Sequence, residues 1–319
     1  MPGTAIANKK KMANLRRIHS FRSFIRLFKE SYFELMKNDP LRMAAATAFF
    51  TTFALPPILI ILTQALGLIF NPGKISGKLY KDLSHIIGRE SMKQIIETLT
   101  GFQKLGHNWF INICGFIFLV FVATTLFMII KHSINQLWKI KIHKKESLWV
   151  QFGSRILSVV IILSAGVLFI AGLVADGLRT FLSKYVLQFS PNMAYYFTGT
   201  LNYFLSLFIV TIWFAVLFRY LPNGRPTWKV ALTGAFVTSI LFNAGKLILR
   251  SLLTYSNIDV IYRTSGSIVL LLLFVFYSSF ILYYGAVFTK LWGTYCNQPI
   301  RPLPNAMHYR LAEVKEVFL

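Results

Sequence analysis

Charge is scarce in this sequence, and negative charge scarcer still. Only 14% of the 319 residues are charged, against about 25% in an average soluble domain. Asp and Glu together number 11, too few for a convincing two-metal nuclease centre with its clustered carboxylates. Cysteine is limited to Cys114 and Cys296. Their places in the chain predict different membrane depths, so no disulfide framework is expected. The six histidines are scattered, no two closer than 11 residues. No HExxH or paired CxxC occurs, so no zinc site is expected. A GxxxxGK[ST] phosphate loop and a GxSxG elbow are missing too. The sequence therefore predicts no catalytic residues, no metal and no cofactor. No repeat with a period of 20–50 residues argues for a solenoid, and no low-complexity linker divides the chain.

What remains is apolar. Hydrophobic residues make up 55% of the chain, Phe alone contributes 30, and mean hydropathy is +0.57. A disordered chain is excluded, and an ordinary soluble globule does not fit. An integral membrane protein does. Six uncharged stretches stand out: Met43–Phe70, Leu105–Ile130, Ile156–Ala175, one within Tyr185–Phe218 starting near Met193, Val230–Gly245 and Thr264–Thr289. A helix needs about 20 residues to cross a hydrocarbon core of about 30 Å. The fifth stretch has only 16. It suffices if Lys229 and Lys246 snorkel or if the helix runs on to Leu253. The predicted fold is all-α, a polytopic membrane protein with six transmembrane helices.

Basic residues outnumber acidic ones 34 to 11, a net charge of +23. In a membrane chain such a surplus collects in cytoplasmic loops and meets anionic lipid headgroups, and nucleic acid is not the expected partner. With the N-terminus inside, segments 1–42, 131–155, 219–229 and 290–319 carry 23 of the 34 basic residues. The orientation is thus N-in and C-in. The organisation is a basic arm (1–42), a membrane domain (43–292) and a cytoplasmic tail (293–319). The arm is no secretory signal, because its basic region is too long and the apolar run after it about twice a signal core. Within it Ile18, Phe21, Ile25, Phe28, Tyr32 and Leu35 recur at helical spacing, with Arg17, Arg22, Arg26 and Lys29 largely on other faces. Such an amphipathic helix lies in the lipid interface or packs on the protein's own cytoplasmic side. Glu30 and Glu34 read as salt-bridge partners there. Asp39 is placed to cap a helix whose first residue is Pro40. In the first outer loop, Asn71-Pro72-Gly73 signals a turn. Met92, Ile95, Ile96, Leu99 and Phe102 then predict one or two short amphipathic helices.

Polar residues inside the stretches are the candidates for a substrate path. Pro56 and Pro57 deprive the carbonyls of Thr52 and Phe53 of their helical partners, and in lipid those groups need protein or water. A kinked or broken first helix is expected, with Thr47, Thr51, Thr52 and Gln64 adding polar atoms. Broken helices mark substrate paths in transporters; kinks also serve packing alone. Asn243, Lys246 and Arg250 form one stripe near the outer end of the fifth helix. They snorkel, or they form a basic vestibule for an anionic substrate, with Asp176, Arg179 and Asp259 on the same side as pairing groups. Ala231, Ala235 and Ser239, with Gly234 and Thr238 alongside, form a small-residue face for close helix packing.

Several motifs also resemble one family. MAAATAFFTTFALPPILIIL (Met43–Leu62), IKHSINQLW (Ile130–Trp138) and FRYLPNGR (Phe218–Arg225) resemble the YihY/virulence factor BrkB family. So do Gly234-Ala235, the region Tyr255, Tyr262 and Ser265-Gly266-Ser267, the triplet Tyr277-Ser278-Ser279, and Gly285-Ala286. The match covers about Phe28 to Trp292. The resemblance implies six membrane helices in a bacterial inner membrane, and with it Asn135 joins the substrate-path candidates. Two departures are visible. The family usually has Glu after the last Gly-Ala, where this chain has Val287, and Thr264-Ser265 alter the Tyr-Gly region. The family is linked to virulence and envelope biology and suspected of transport. An old label, ribonuclease BN, implies tRNA processing. Three functions follow as expectations. The first is a transporter- or flippase-like handler of an anionic or lipid-linked envelope molecule. The second is a non-transporting scaffold recruiting a partner through the basic arm. The third is the nuclease, which the residues themselves do not support.

Overall fold

The computed structural model describes residues 21–68, 77–81, 83–84, 92–93, 95–97, 100, 109–142, 148–189, 191–255 and 266–310. It is built from helices α1 (Phe21–Met36), α2 (Pro40–Gly67), α3 (Trp109–Trp138), α4 (Leu148–Phe189), α5 (Pro191–Tyr220), α6 (Trp228–Tyr255) and α7 (Gly266–Tyr295). Helical turns also stand at 77–81 and around 92–97, in the first outer loop. Four short strands complete the described elements: β1 (Ile140–Ile142), β2 (Gly224–Arg225), β3 (Arg301–Pro302) and β4 (Ala306–His308). Six helices are long and apolar enough to cross a membrane: Pro40–Gly67, Ile113–Trp138, Phe152–Ala175, Tyr203–Tyr220, Trp228–Ile248 and Ile268–Tyr295.

Two helices differ from their sequence-derived limits. Segment 176–193 was expected as an outer loop, yet α4 continues to Phe189 and α5 begins at Pro191. Charge does not end a helix, and no proline interrupts the chain between Leu148 and Pro191, where proline takes the first helical position. The 42 residues of α4 extend about 63 Å at 1.5 Å per residue, about twice a bilayer core. Helix α6 runs past Lys246 to Tyr255, in line with the expected alternative that the shortest span continues to Leu253. Helix α2 passes through Pro56 and Pro57 without a break. Around them, the hydroxyls of Thr47, Thr51 and Thr52 each donate to a carbonyl one turn back. Asp39 stands at the N-cap in the left-handed region (φ 49°) with no side-chain cap. Its carboxylate instead lies 3.6 Å from Arg42, both exposed.

Lipid offers no hydrophobic drive for helices to associate, so close packing and hydrogen bonds must hold them. Helix α7 is the hub, in contact with α1, α2, α3 and α6. Where α6 and α7 cross, each offers a glycine to the other's threonine. A Cβ on Gly234 would lie 1.9 Å from Thr289 Oγ1, and one on Gly285 would lie 1.8 Å from Thr238 Oγ1. Both threonines donate to their own helix, Thr238 to Gly234 O and Thr289 to Gly285 O, at 2.7 Å each. The small-residue face of α6 is thus its packing face: Ala231, Ala235, Thr238 and Ser239 are buried. Ser239 also donates to Leu207 O of α5 at 3.0 Å.

The end of the bundle expected to face the cytoplasm is tightly packed. Trp138, Phe218, Leu221, Val230, Tyr283, Val287 and Phe288 are all fully buried. Trp138 Nε1 donates to Ala286 O at 2.8 Å. Val287 is fully buried and apolar, a core residue that needs no partner. The chain after α7 folds back and pairs with both inner loops. β1 runs antiparallel to β4 (Ile140 opposite His308), and β2 antiparallel to β3 (Gly224 opposite Pro302). A left-handed Lys139 (φ 56°) ends α3, and Asn297 (φ 54°) does the same for α7.

Helix α1 gives each open alternative for the arm a sector of its surface. Leu27, Ser31 and Leu35 are buried. Phe24 and Phe28 pack edge-on or tilted against Tyr284, Phe288 and Trp292 of α7, and Tyr284 donates to Phe28 O at 2.8 Å. Glu34 lies 3.4 Å from Lys290 and 3.8 Å from Lys37, while Glu30 is exposed. About 100° further round the helix, Ile25, Tyr32, Phe33 and Met36 are exposed. The expected stripe therefore divides, with Phe28 and Leu35 on protein and Ile25 and Tyr32 facing away. Ile18 and the Phe21 side chain lie outside the described residues.

Candidate functional site

A cavity of about 520 Å³ opens among the helices. All six spans contribute: Thr47 and Thr51 from α2, Phe127 and Ile130 from α3, Ala165, Leu168 and Phe169 from α4, Trp213 and Phe214 with three neighbours from α5, Phe242 from α6, and Ser278, Ser279 and Leu282 from α7. Leu83 of the loop between α2 and α3 joins them, and none of the described lining residues is charged. The hydroxyl protons are largely spoken for. Thr51 donates to Thr47 O and Ser278 to Phe274 O, both at 2.7 Å. Thr47 donates to Met43 O at 2.9 Å and shares a 2.5 Å contact with the hydroxyl of buried Tyr283. These groups keep acceptor lone pairs towards the cavity. An unaccompanied anion needs donors or a cation, and finds little of either. An apolar chain finds aromatic and aliphatic walls.

The sequence candidates fall in different places. Thr51 lines the cavity. Thr52 is half-buried and donates to Ala48 O at 3.1 Å. Pro56 and Pro57 are buried in α2, and Gln64 is exposed; none of these lines the cavity. Asn243 is buried and donates to Ser239 O at 2.9 Å, serving its own helix. Lys246 is half-buried, and neither it nor Asn243 lines the cavity. The side chains of Arg250, Asp176, Arg179 and Asp259 lie outside the described residues. Asn135 is buried at the inner end, where its Oδ1 accepts the backbone N–H of Asn223 at 2.8 Å. Sequence reasoning passed over Ser278 and Ser279 as site residues. Two adjacent hydroxyls in an otherwise greasy helix were the available signal.

The inner loop between α5 and α6 is held by arginines. Arg219 donates to Pro226 O and lies over the Trp228 ring at 5.0 Å. Arg225 donates to Arg219 O at 2.7 Å and lies over Tyr220 at 5.2 Å. Burial, and then the neighbouring Arg219 charge, hold the Arg225 guanidinium below its usual pKa. Cys296, at the other end of the span set from Cys114, has its thiol pushed up by burial; both are free. Among the described residues, His, Cys, Asp and Glu nowhere gather in threes.

Six apolar helices around a shared cavity, tied at the inner end by paired strands, define a multi-pass protein of the bacterial inner membrane. Residues 32–306 match the family described as Virulence factor BrkB, and the chain belongs to that family. A UPF0761 membrane protein of Albidiferax ferrireducens is 24% identical over 277 residues, covering 84% of this chain and 61% of the relative. One of Delftia acidovorans is 27% identical over 269 residues, covering 80% and 60%. One of Pseudomonas paraeruginosa is 25% identical over 249 residues, covering 76% and 57%. The chain thus spans about three fifths of the length of these curated relatives. Their names record a membrane protein, not an enzyme. No solved structure matches.

Proposed function

We propose that the protein is a non-enzymatic handler of an amphiphilic envelope molecule, a lipid or lipid-linked compound whose apolar chain occupies the central cavity. The observation that carries this reading is the cavity itself: aromatic-walled, bordered by every span and without charge among its described lining residues. It favours a lipid-linked substrate over a small free anion, because no described lining residue is cationic. In vesicles containing the purified protein, a fluorescent phospholipid analogue should cross between leaflets faster than in protein-free vesicles. Ser278→Phe or Thr51→Phe, which fill the cavity, should return the rate to the protein-free level while the protein stays folded. Equal rates with and without the wild-type protein would sink the reading.

The same reading gives α1 a place in the inner leaflet. Its exposed sector of Ile25, Tyr32, Phe33 and Met36 borders exposed Arg26, Lys29 and Lys37, and Lys29 sits over the Phe33 ring at 5.9 Å. Apolar side chains flanked by cations suit an anionic headgroup layer. A polarity-sensitive dye on a cysteine replacing Phe33, in a chain without Cys114 and Cys296, should shift to the blue as anionic lipid is added. The same dye at Arg26 should respond less. Equal responses at both positions would remove α1 from the lipid surface. Deleting residues 1–30 is a poorer test, because Phe24 and Phe28 are part of the α7 packing.

A further inference from the structure

A second cavity, about 640 Å³, lies at the inner end of the molecule. The last turns of α3 bring His132, Asn135 and Gln136 to it, and β1 brings Lys141 between two isoleucines. Tyr309, just beyond β4, closes one side. The walls are fixed by the backbone: Lys139 turns the chain out of α3, and Tyr309 N–H donates to Lys139 O at 3.0 Å. Lys141 pairs with Met307 across the strands. None of the described lining residues is a carboxylate. Asn135 is 6% exposed, and its Oδ1 is pinned by the Asn223 N–H, so its NH₂ donors are what it can offer the groove. Behind that bond the Asn223 side-chain nitrogen is buried with no partner among the described residues. Asn223 does not line the groove, so this nitrogen adds no donor to it.

Among the described lining residues, the Asn135 and Gln136 amides, one ammonium group and no acid suit a phosphate, with the isoleucines supplying apolar contact for the carbon skeleton beside it. We propose that this groove binds a phosphate-bearing anion on the cytoplasmic face, either a lipid headgroup or a soluble phosphate ester. The site stands whether or not the protein moves a substrate. It is tested on the full chain held in phosphatidylcholine nanodiscs. Glycerol 3-phosphate is titrated by calorimetry, and phosphatidylglycerol doped into the discs is followed by native mass spectrometry. At least one probe should bind. Lys141→Glu should weaken it about tenfold, and Gln136→Ala less, with unchanged thermal melts since both side chains are exposed. Binding of glycerol 3-phosphate assigns a soluble ester; enrichment of phosphatidylglycerol alone assigns the lipid. Failure of both probes on the wild-type chain, or binding indifferent to Lys141→Glu, overturns the proposal.

Discussion

Gly234→Ala and Gly285→Ala should each destabilise the protein by about 3 kcal/mol or more, at the upper end of what overpacking costs. The added methyl on Gly234 meets Thr289 Oγ1 at 1.9 Å and also Thr289 Cα at 3.2 Å, so a rotamer change on Thr289 does not relieve it. On Gly285 it meets Thr238 Oγ1 at 1.8 Å and both remaining side-chain carbons at 2.9 Å. Thr238→Ala should recover part of the loss in Gly285→Ala, because the hydroxyl goes but Cβ stays. Gly115 and Gly153 have open space where a Cβ would stand, and alanine at either should be neutral or slightly stabilising. Thermal melts in detergent would read all five variants. A Gly285→Ala protein that melts like Gly115→Ala would show that α6 and α7 do not approach as described.

Trp138→Ala should cost about 3–5 kcal/mol, the usual range for emptying a large buried aromatic site. The residue is 1% exposed and bridges three parts of the inner end. It ends α3, donates to Ala286 O of α7 and packs on the Gly224 turn, where a Cβ would lie 2.9 Å from its ring. Trp138→Phe separates these contributions. It keeps most of the packing and removes the indole bond to the Ala286 carbonyl, which retains its helical partner, at about 1 kcal/mol. Denaturant or thermal unfolding in detergent would measure both, with Trp138→Ala expected well below Trp138→Phe. Equal values would mean that the hydrogen bond, not the ring, holds the junction.

The membrane spans were legible because length and lack of charge set them, and both are local properties. Helix ends were less so. Asp176, Arg179 and Lys184 suggested a loop, but a helix leaving the bilayer tolerates charge, and α4 stops only ahead of Pro191. Lys246 marked the end of an apolar run, not of a helix. The strands were not legible: two or three residues carry no alternation, and β1 finds its partner at the far end of the chain. The central cavity was half legible. A hydroxyl in a greasy helix pointed to Thr51. Phe127 and Trp213 look like any lipid-facing aromatic until their neighbours are known. Asn243 attracted notice by its polarity, which turns out to serve its own helix through Ser239.

The woven inner end also has a meaning for biosynthesis. Residues 301–308 follow the six described membrane helices in the chain, yet they supply the strands that cover Ile140 and the Gly224 turn. A nascent polypeptide that has made those helices still lacks the partners of β1 and β2. That end of the bundle is therefore finished only once translation has passed residue 308.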